Sequence, residues 1–108
     1  MKVLLVEDEE SIREIQKLYL EKEGYTVYEA EDGKQALDIF QKQKNSLGLV
    51  VLDLNIPFIS GTEVCKTIKR FSKIPVIMVT AKTQELDELL GLSIGADDYI
   101  KKPFSPSI

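Results

Sequence analysis

Short apolar runs alternate along this chain with segments whose apolar positions recur at helical spacing. Val3-Leu4-Leu5-Val6 is continuous and apolar, the pattern of a strand covered on both faces. Ile12, Ile15, Leu18 and Tyr19 follow at the spacing of a helix with one inward face. Gly24 stands where that helix should stop, with Lys22 in its last turn. Thr26 to Ala30 is more polar, as suits a strand nearer an edge. Asp32 then opens a second helix, Gln35 completes a capping-box pattern, and Ala36, Leu37 and Phe40 make its inner face. Leu49 to Leu52 is the most apolar run. Pro57 and Gly61 mark the loop after it, and Val64, Cys65, Ile68 and Phe71 form a third helical stripe. Pro75 introduces a fourth strand, Val76-Ile77-Met78-Val79. Thr83 can cap a fourth helix that turns Leu86, Leu89, Leu90 and Ile94 inward, with Gly91 weakening it and Gly95 ending it. Tyr99-Ile100 is a short fifth strand.

Alternation of this kind implies right-handed crossovers and a parallel sheet. The expected fold is α/β: a doubly wound, flavodoxin-like sheet of five strands in the order 2-1-3-4-5. The 108 residues make one domain, with no internal repeat, low-complexity tract or interdomain linker. Ser105-Pro106 is a good helix opening, Ser at the cap and Pro in the first turn, yet Ile108 follows at once. The expectation is a fifth helix cut short, with a further domain beyond it or a partner over the sheet face it would cover.

Composition narrows the function. A net charge of −4 argues against a grip on nucleic-acid backbone or an anionic membrane surface. No apolar stretch approaches the roughly 20 residues of a membrane span. The first apolar run is too short for a signal peptide and meets Glu7-Asp8-Glu9-Glu10 directly, so the expected location is the cytoplasm. The lone Cys65 makes no internal disulfide and reads as a small core residue. The chain has no His, which excludes Ser-His or Cys-His catalysis and a typical zinc site. Accepting a phosphoryl group from a partner's histidine stays open.

Polar residues sit where the apolar runs end. Glu7 and Asp8 follow the first run, Asp53 ends the third, and Lys102-Pro103 follows the fifth. In a parallel sheet these groups meet at one end, where open α/β sheets bind their ligands. Three acids and one ammonium suit a hard cation together with a phosphoryl group. Taken singly, the acids after the first run also suit the N-terminus of the following helix.

In this order, Val6-Glu7-Asp8-Glu9, Leu52-Asp53-Leu54-Asn55-Ile56-Pro57, Gly61, Val79-Thr80-Ala81, Gly95-Ala96-Asp97-Asp98-Tyr99 and Lys102-Pro103-Phe104 resemble the receiver domain of bacterial two-component response regulators. The resemblance spans the chain and implies the following roles. Asp53 is the phosphoacceptor. Asp8 is the main Mg²⁺ ligand, joined by Asp53, the Asn55 backbone carbonyl and Glu7, directly or through water. Thr80, the Ala81 backbone N–H and Lys102 bind phosphoryl oxygens. Lys101 competes for that role, but strand alternation lets only one of the two lysines reach the pocket. Thr80 and Tyr99 are a switch pair, and the bond before Pro103 is cis. Asn55 and Lys82 tune attack by water on the phosphoaspartate. The implied partners are a sensor histidine kinase and a second copy, through the face of the fourth helix and fifth strand. DNA is reached only through an effector domain outside this chain. Glu7 and Asp97-Asp98-Tyr99-Ile100 look most like regulators with a winged-helix effector. The chain would not be an enzyme beyond promoting its own phosphorylation and dephosphorylation.

Three other readings are open. A stand-alone receiver would act by protein–protein interaction. A phosphatase of the haloacid dehalogenase type also uses a strand-end aspartate, but it needs a second Asp where Asn55 stands. A flavin-binding protein shares the sheet order but needs a Ser/Thr/Gly-rich phosphate loop where the acids lie. If Asn55 and Lys82 tune the hydrolytic step, exchanging either changes the dephosphorylation rate more than the phosphorylation rate. Equal effects in time courses of phosphoryl gain and loss would contradict that role.

Overall fold

The computed structural model describes residues 1–54 and 56–80, the side chain of Thr80 excepted, together with a backbone strand over 98–101. Its elements run β1 (Lys2–Val6), α1 (Glu10–Lys22), β2 (Thr26–Ala30), α2 (Gly33–Gln43), β3 (Leu47–Asp53), α3 (Gly61–Phe71), β4 (Val76–Thr80) and β5 (Asp98–Lys101). The strands form one parallel sheet in the order β2-β1-β3-β4-β5, as the alternation predicts. The expected fourth helix, from Thr83, and the helix opening at Ser105-Pro106 lie outside the described residues.

Side-chain alternation divides the core between the two faces. Leu4 and Val6 join Val50, Leu52, Val76 and Met78 beneath Ala36 and Phe40 of α2 and Val64, Cys65 and Ile68 of α3. Val3 and Leu5 join Val51 and Val79 beneath Leu20 of α1. Cys65 is wholly buried, the core role its sequence position suggests. Because both faces of β1 are buried, a slip of one residue would exchange the two sets and place each against the wrong helices.

The helix ends follow local chemistry. Asp32 caps α2 by accepting the Gln35 N–H at 2.8 Å, while Gln35 Oε1 reaches past the cap to the Glu31 N–H at 3.0 Å. Ser60 caps α3 through the Glu63 N–H at 3.2 Å, so Gly61 is the first helical residue and not part of the loop. Gly24 ends α1 with φ +95°, a left-handed conformation that glycine adopts without penalty.

The inner face of α1 is not the expected stripe. Gln16 and Leu20 are buried, Ile12 and Tyr19 are half-buried, and Ile15 and Leu18 are 52% and 68% exposed. The rotation of the helix explains this. Arg13 and Lys17 both bond to Glu29 of β2, which turns that flank toward the sheet edge. At about 100° per residue, Leu18 then lies nearly opposite Gln16 and Leu20, and Ile15 points well off to the side. Phe71, expected inside, ends α3 at 62% exposure.

Gln16 Oε1 is buried with no hydrogen-bond partner among the described residues. Such a group forfeits its bonds to water and gains nothing in return. Gln16→Met, of similar length and shape, is expected to stabilise the fold by about 1 kcal/mol. A higher urea midpoint at unchanged slope would show it, and a lower midpoint would mean that the amide is satisfied in solution.

Candidate functional site

The strand register builds the polar end of the sheet. Val6 of β1 pairs with Leu52 of β3, so Glu7 leaves β1 level with Asp53. Asp53 pairs in turn with Val79, and Thr80 with Lys101. Two backbone bonds carry the ladder past the last strand residues: Glu7 N–H to Ala30 O at 3.0 Å, and Leu54 N–H to Val79 O at 3.1 Å.

Three sequence-predicted site residues are brought together there. The carboxylates of Glu7, Asp8 and Asp53 place an oxygen each within 4.8 Å of one another. Glu7 is 1% exposed and Asp53 5%, while Asp8 is open to solvent. Glu7 is held by its own turn, Oε2 accepting the Glu9 N–H at 3.2 Å. Glu9 is the N-cap of α1 and makes no side-chain capping bond, Glu10 puts an acid in the first turn, and Glu7 and Asp8 join the cluster. At such spacing like charges repel by about 1 kcal/mol in water and about 4 kcal/mol near a protein surface. A cation among them removes that repulsion. Carboxylate oxygens are hard donors, and a set that joins two buried acids to one open one fits an ion such as Mg²⁺ that keeps several waters. Asn55, the Thr80 side chain, Ala81, Lys82, the Tyr99 side chain, Lys102 and Pro103 lie outside the described residues.

Two glycines let the backbone close around Asp53. A Cβ on Gly61 would collide with the carbonyl oxygens of Asp53 and Leu54, so only glycine lets α3 start against the end of β3. A Cβ on Gly33 would strike the Ile59 backbone, where the Gly33 N–H donates to Pro57 O at 3.2 Å. The loop after Asp53 is thus tied to both helices on that face. The motifs along the chain mark Gly61 as a loop residue, and nothing local marks Gly33 as a contact.

Sequence reading missed a second feature. Arg13 Nη1 donates to the Glu7 carbonyl oxygen at 2.9 Å, and its Nε bonds to Glu29 Oε1 at 3.1 Å. Lys17 Nζ reaches the other Glu29 oxygen at 3.0 Å. Glu29 is one strand away from the acid pair, and only the β1–β2 pairing of Leu5 with Glu29 brings it near. Lys17 first, and Arg13 with it, hold the Glu29 carboxyl below its ordinary value, and Glu29 raises Lys17 in return.

The family model for the response regulator receiver domain matches residues 3–107. Among solved structures, the chain is similar to the chemotaxis protein CheY4 of Vibrio cholerae, with 33% identity and a TM-score of 0.88 over 97% of this chain and 88% of that one. It is similar to the BeF3-activated N-terminal receiver domain of RstA from Klebsiella pneumoniae, with 27% identity and a TM-score of 0.92 over 99% and 90% of the two chains. A receiver domain protein of Clostridium thermocellum matches at 30% identity and a TM-score of 0.90, over 97% and 84%.

The Glu29 cluster gives a pH dependence. A carboxyl lowered on folding contributes stability that is present above its unfolded value, near 4.5, and lost as pH falls through the lower folded value. Glu29→Gln should therefore lower the melting temperature at pH 7, and the gap should close as the pH drops below 4.5. Parallel melting curves from pH 7 to pH 3 check this; a gap that persists at pH 3 would show that the charge is not its source.

Proposed function

Because the chain belongs to the response regulator receiver domain family, we propose that it is a switch worked by phosphorylation of Asp53. The observation that carries this reading is the cluster itself: Asp53, 5% exposed at the end of β3, within 4.8 Å of the carboxylates of Glu7 and Asp8. A carboxylate is a weak nucleophile, so the site must hold the electrophile in line and offset the charge that gathers. Asp8 and Asp53, with Glu7 and the Asn55 carbonyl, would hold Mg²⁺, which when bound neutralises charge on the acids and on phosphoryl oxygens.

The chain's own groups do the rest. Burial and the turn around Gly61 limit the positions open to Asp53, which presents one carboxylate oxygen for attack. Arg13 fixes the Glu7 carbonyl and with it the start of the turn that bears Asp8. Lys102, the Thr80 hydroxyl and the Ala81 N–H would receive the phosphoryl oxygens once Asp53 carries them. Thr80, drawn toward the new anion, would leave room for Tyr99 to turn inward, a two-state change biased by contacts that only one state makes. Asn55 and Lys82 would set the lifetime of the phosphoaspartate, and the bond before Pro103 would be cis.

The phosphodonor in this reading is a sensor histidine kinase. The output passes through the face of the fourth helix and β5, by homodimerisation, to a DNA-binding effector. The chain turns over no external substrate, and it works in the cytoplasm. Among the described residues no helix is long and apolar enough to cross a membrane.

Intact mass after incubation with acetyl phosphate and Mg²⁺ tests the reading. The unmodified chain should gain one phosphoryl group, chelator should abolish the gain, and Asp53→Asn should show none. Asp8→Asn should shift the Mg²⁺ needed for half-maximal labelling upward by about tenfold or more. A folded chain that gains nothing, or gains equally as Asp53→Asn, would refute the acceptor role.

A further inference from the structure

Phe58 lies five residues beyond Asp53 and breaks two rules at once. Its ring is 86% exposed, the most exposed of the large apolar side chains among the described residues. Its φ is +68°, in the left-handed region that bulky side chains rarely occupy. The Ile59 N–H donates to Pro57 O at 2.9 Å across it, so Phe58 is the centre of a γ-turn of the rare, strained hand. Glycine or asparagine would take this conformation with less strain.

The loop is not loose around it. Leu54, Ile56 and Ile59 pack against the core, the Gly61 N–H donates to Leu54 O at 3.2 Å, and Gly33 clamps Pro57. The neighbours pack inward, so the strained turn leaves the Phe58 ring pointing outward from the loop that leaves Asp53 at the polar end of the sheet. Strain of this kind persists only where the surroundings impose it, and it gathers at functional sites. An exposed aromatic on a rigid support loses little side-chain freedom when a partner covers it, as suits an interface anchor.

We infer that Phe58 is the docking anchor for the protein phosphodonor, inserting into an apolar pocket on the donor's surface beside its phosphohistidine; this rests on Asp53 being the acceptor. Any protein that brings a phosphohistidine to Asp53 must cover the rim of the site. A small phosphodonor need not. The anchor therefore serves transfer from a protein and is indifferent to acetyl phosphate.

The test compares both donors on the unmodified chain, Phe58→Gly, Phe58→Asn and Phe58→Tyr. The probes are acetyl phosphate and a panel of autophosphorylated histidine-kinase catalytic cores, using the core that labels the unmodified chain fastest. Phe58→Gly and Phe58→Asn should melt at or above the temperature of the unmodified chain and take label from acetyl phosphate at an unchanged rate. Transfer from the kinase core to these two should fall by roughly tenfold or more, while Phe58→Tyr keeps most of it. Unchanged kinase transfer in the glycine and asparagine variants would overturn the anchor, as would equal losses with both donors. So would labelling by acetyl phosphate with no core in the panel able to transfer. If acetyl phosphate fails to label the unmodified chain, the acceptor reading of Asp53 falls first.

Discussion

The pairing of β1 with β3 is the constraint on which the site depends. With Val6 opposite Leu52, Glu7 and Asp8 emerge beside Asp53, and the three carboxylates come within 4.8 Å. A shift of one residue would turn Val3 and Leu5 toward α2 and α3 and would carry the acids off the level of Asp53. The same alternation that sorts the core between the two faces therefore also aligns the acids. Burial of Val3, Leu4, Leu5 and Val6 enforces the register. The mutual repulsion of the acids opposes their meeting, so the apolar strands carry a charge arrangement that would not assemble without them.

Around that cluster the backbone closes more tightly than side chains would allow. Gly61 lets α3 begin against the carbonyls of Asp53 and Leu54, and Gly33 lets α2 begin against Ile59. These approaches confine the loop that follows Asp53, in which Phe58 holds a left-handed φ. On the other side of the sheet, Arg13 joins the Glu7 carbonyl to Glu29 on the edge strand. That link sets the rotation of α1 and ties the acid-bearing turn to β2.

Much of this was legible beforehand. The strands, their order and the meeting of Glu7, Asp8 and Asp53 follow from apolar runs and their polar ends, and the family motifs pointed the same way. The caps at Asp32 and the stop at Gly24 were readable because they involve residues a few positions apart. The inner stripe of α1 departs from the apolar spacing. Apolar spacing favoured Ile15 and Leu18, but an ion-paired flank outweighed two exposed apolar side chains and put Gln16 inside. Phe71 departs from that spacing for a related reason: it stands in the last turn of α3, where helical spacing continues after the covering surface has ended.

By itself the sequence determined the alternation of strands and helices, the most apolar strands and the acids at their ends. Those depend on hydrophobicity and on short-range hydrogen bonds, which act between near neighbours in the chain. Only the tertiary structure decided the rotation of α1, the Arg13–Glu29 link, the closures at Gly33 and Gly61 and the left-handed turn at Phe58. Each needs groups that lie far apart in sequence, Arg13 with Glu29 or Gly33 with Pro57, and only sheet register and helix packing bring such groups into contact.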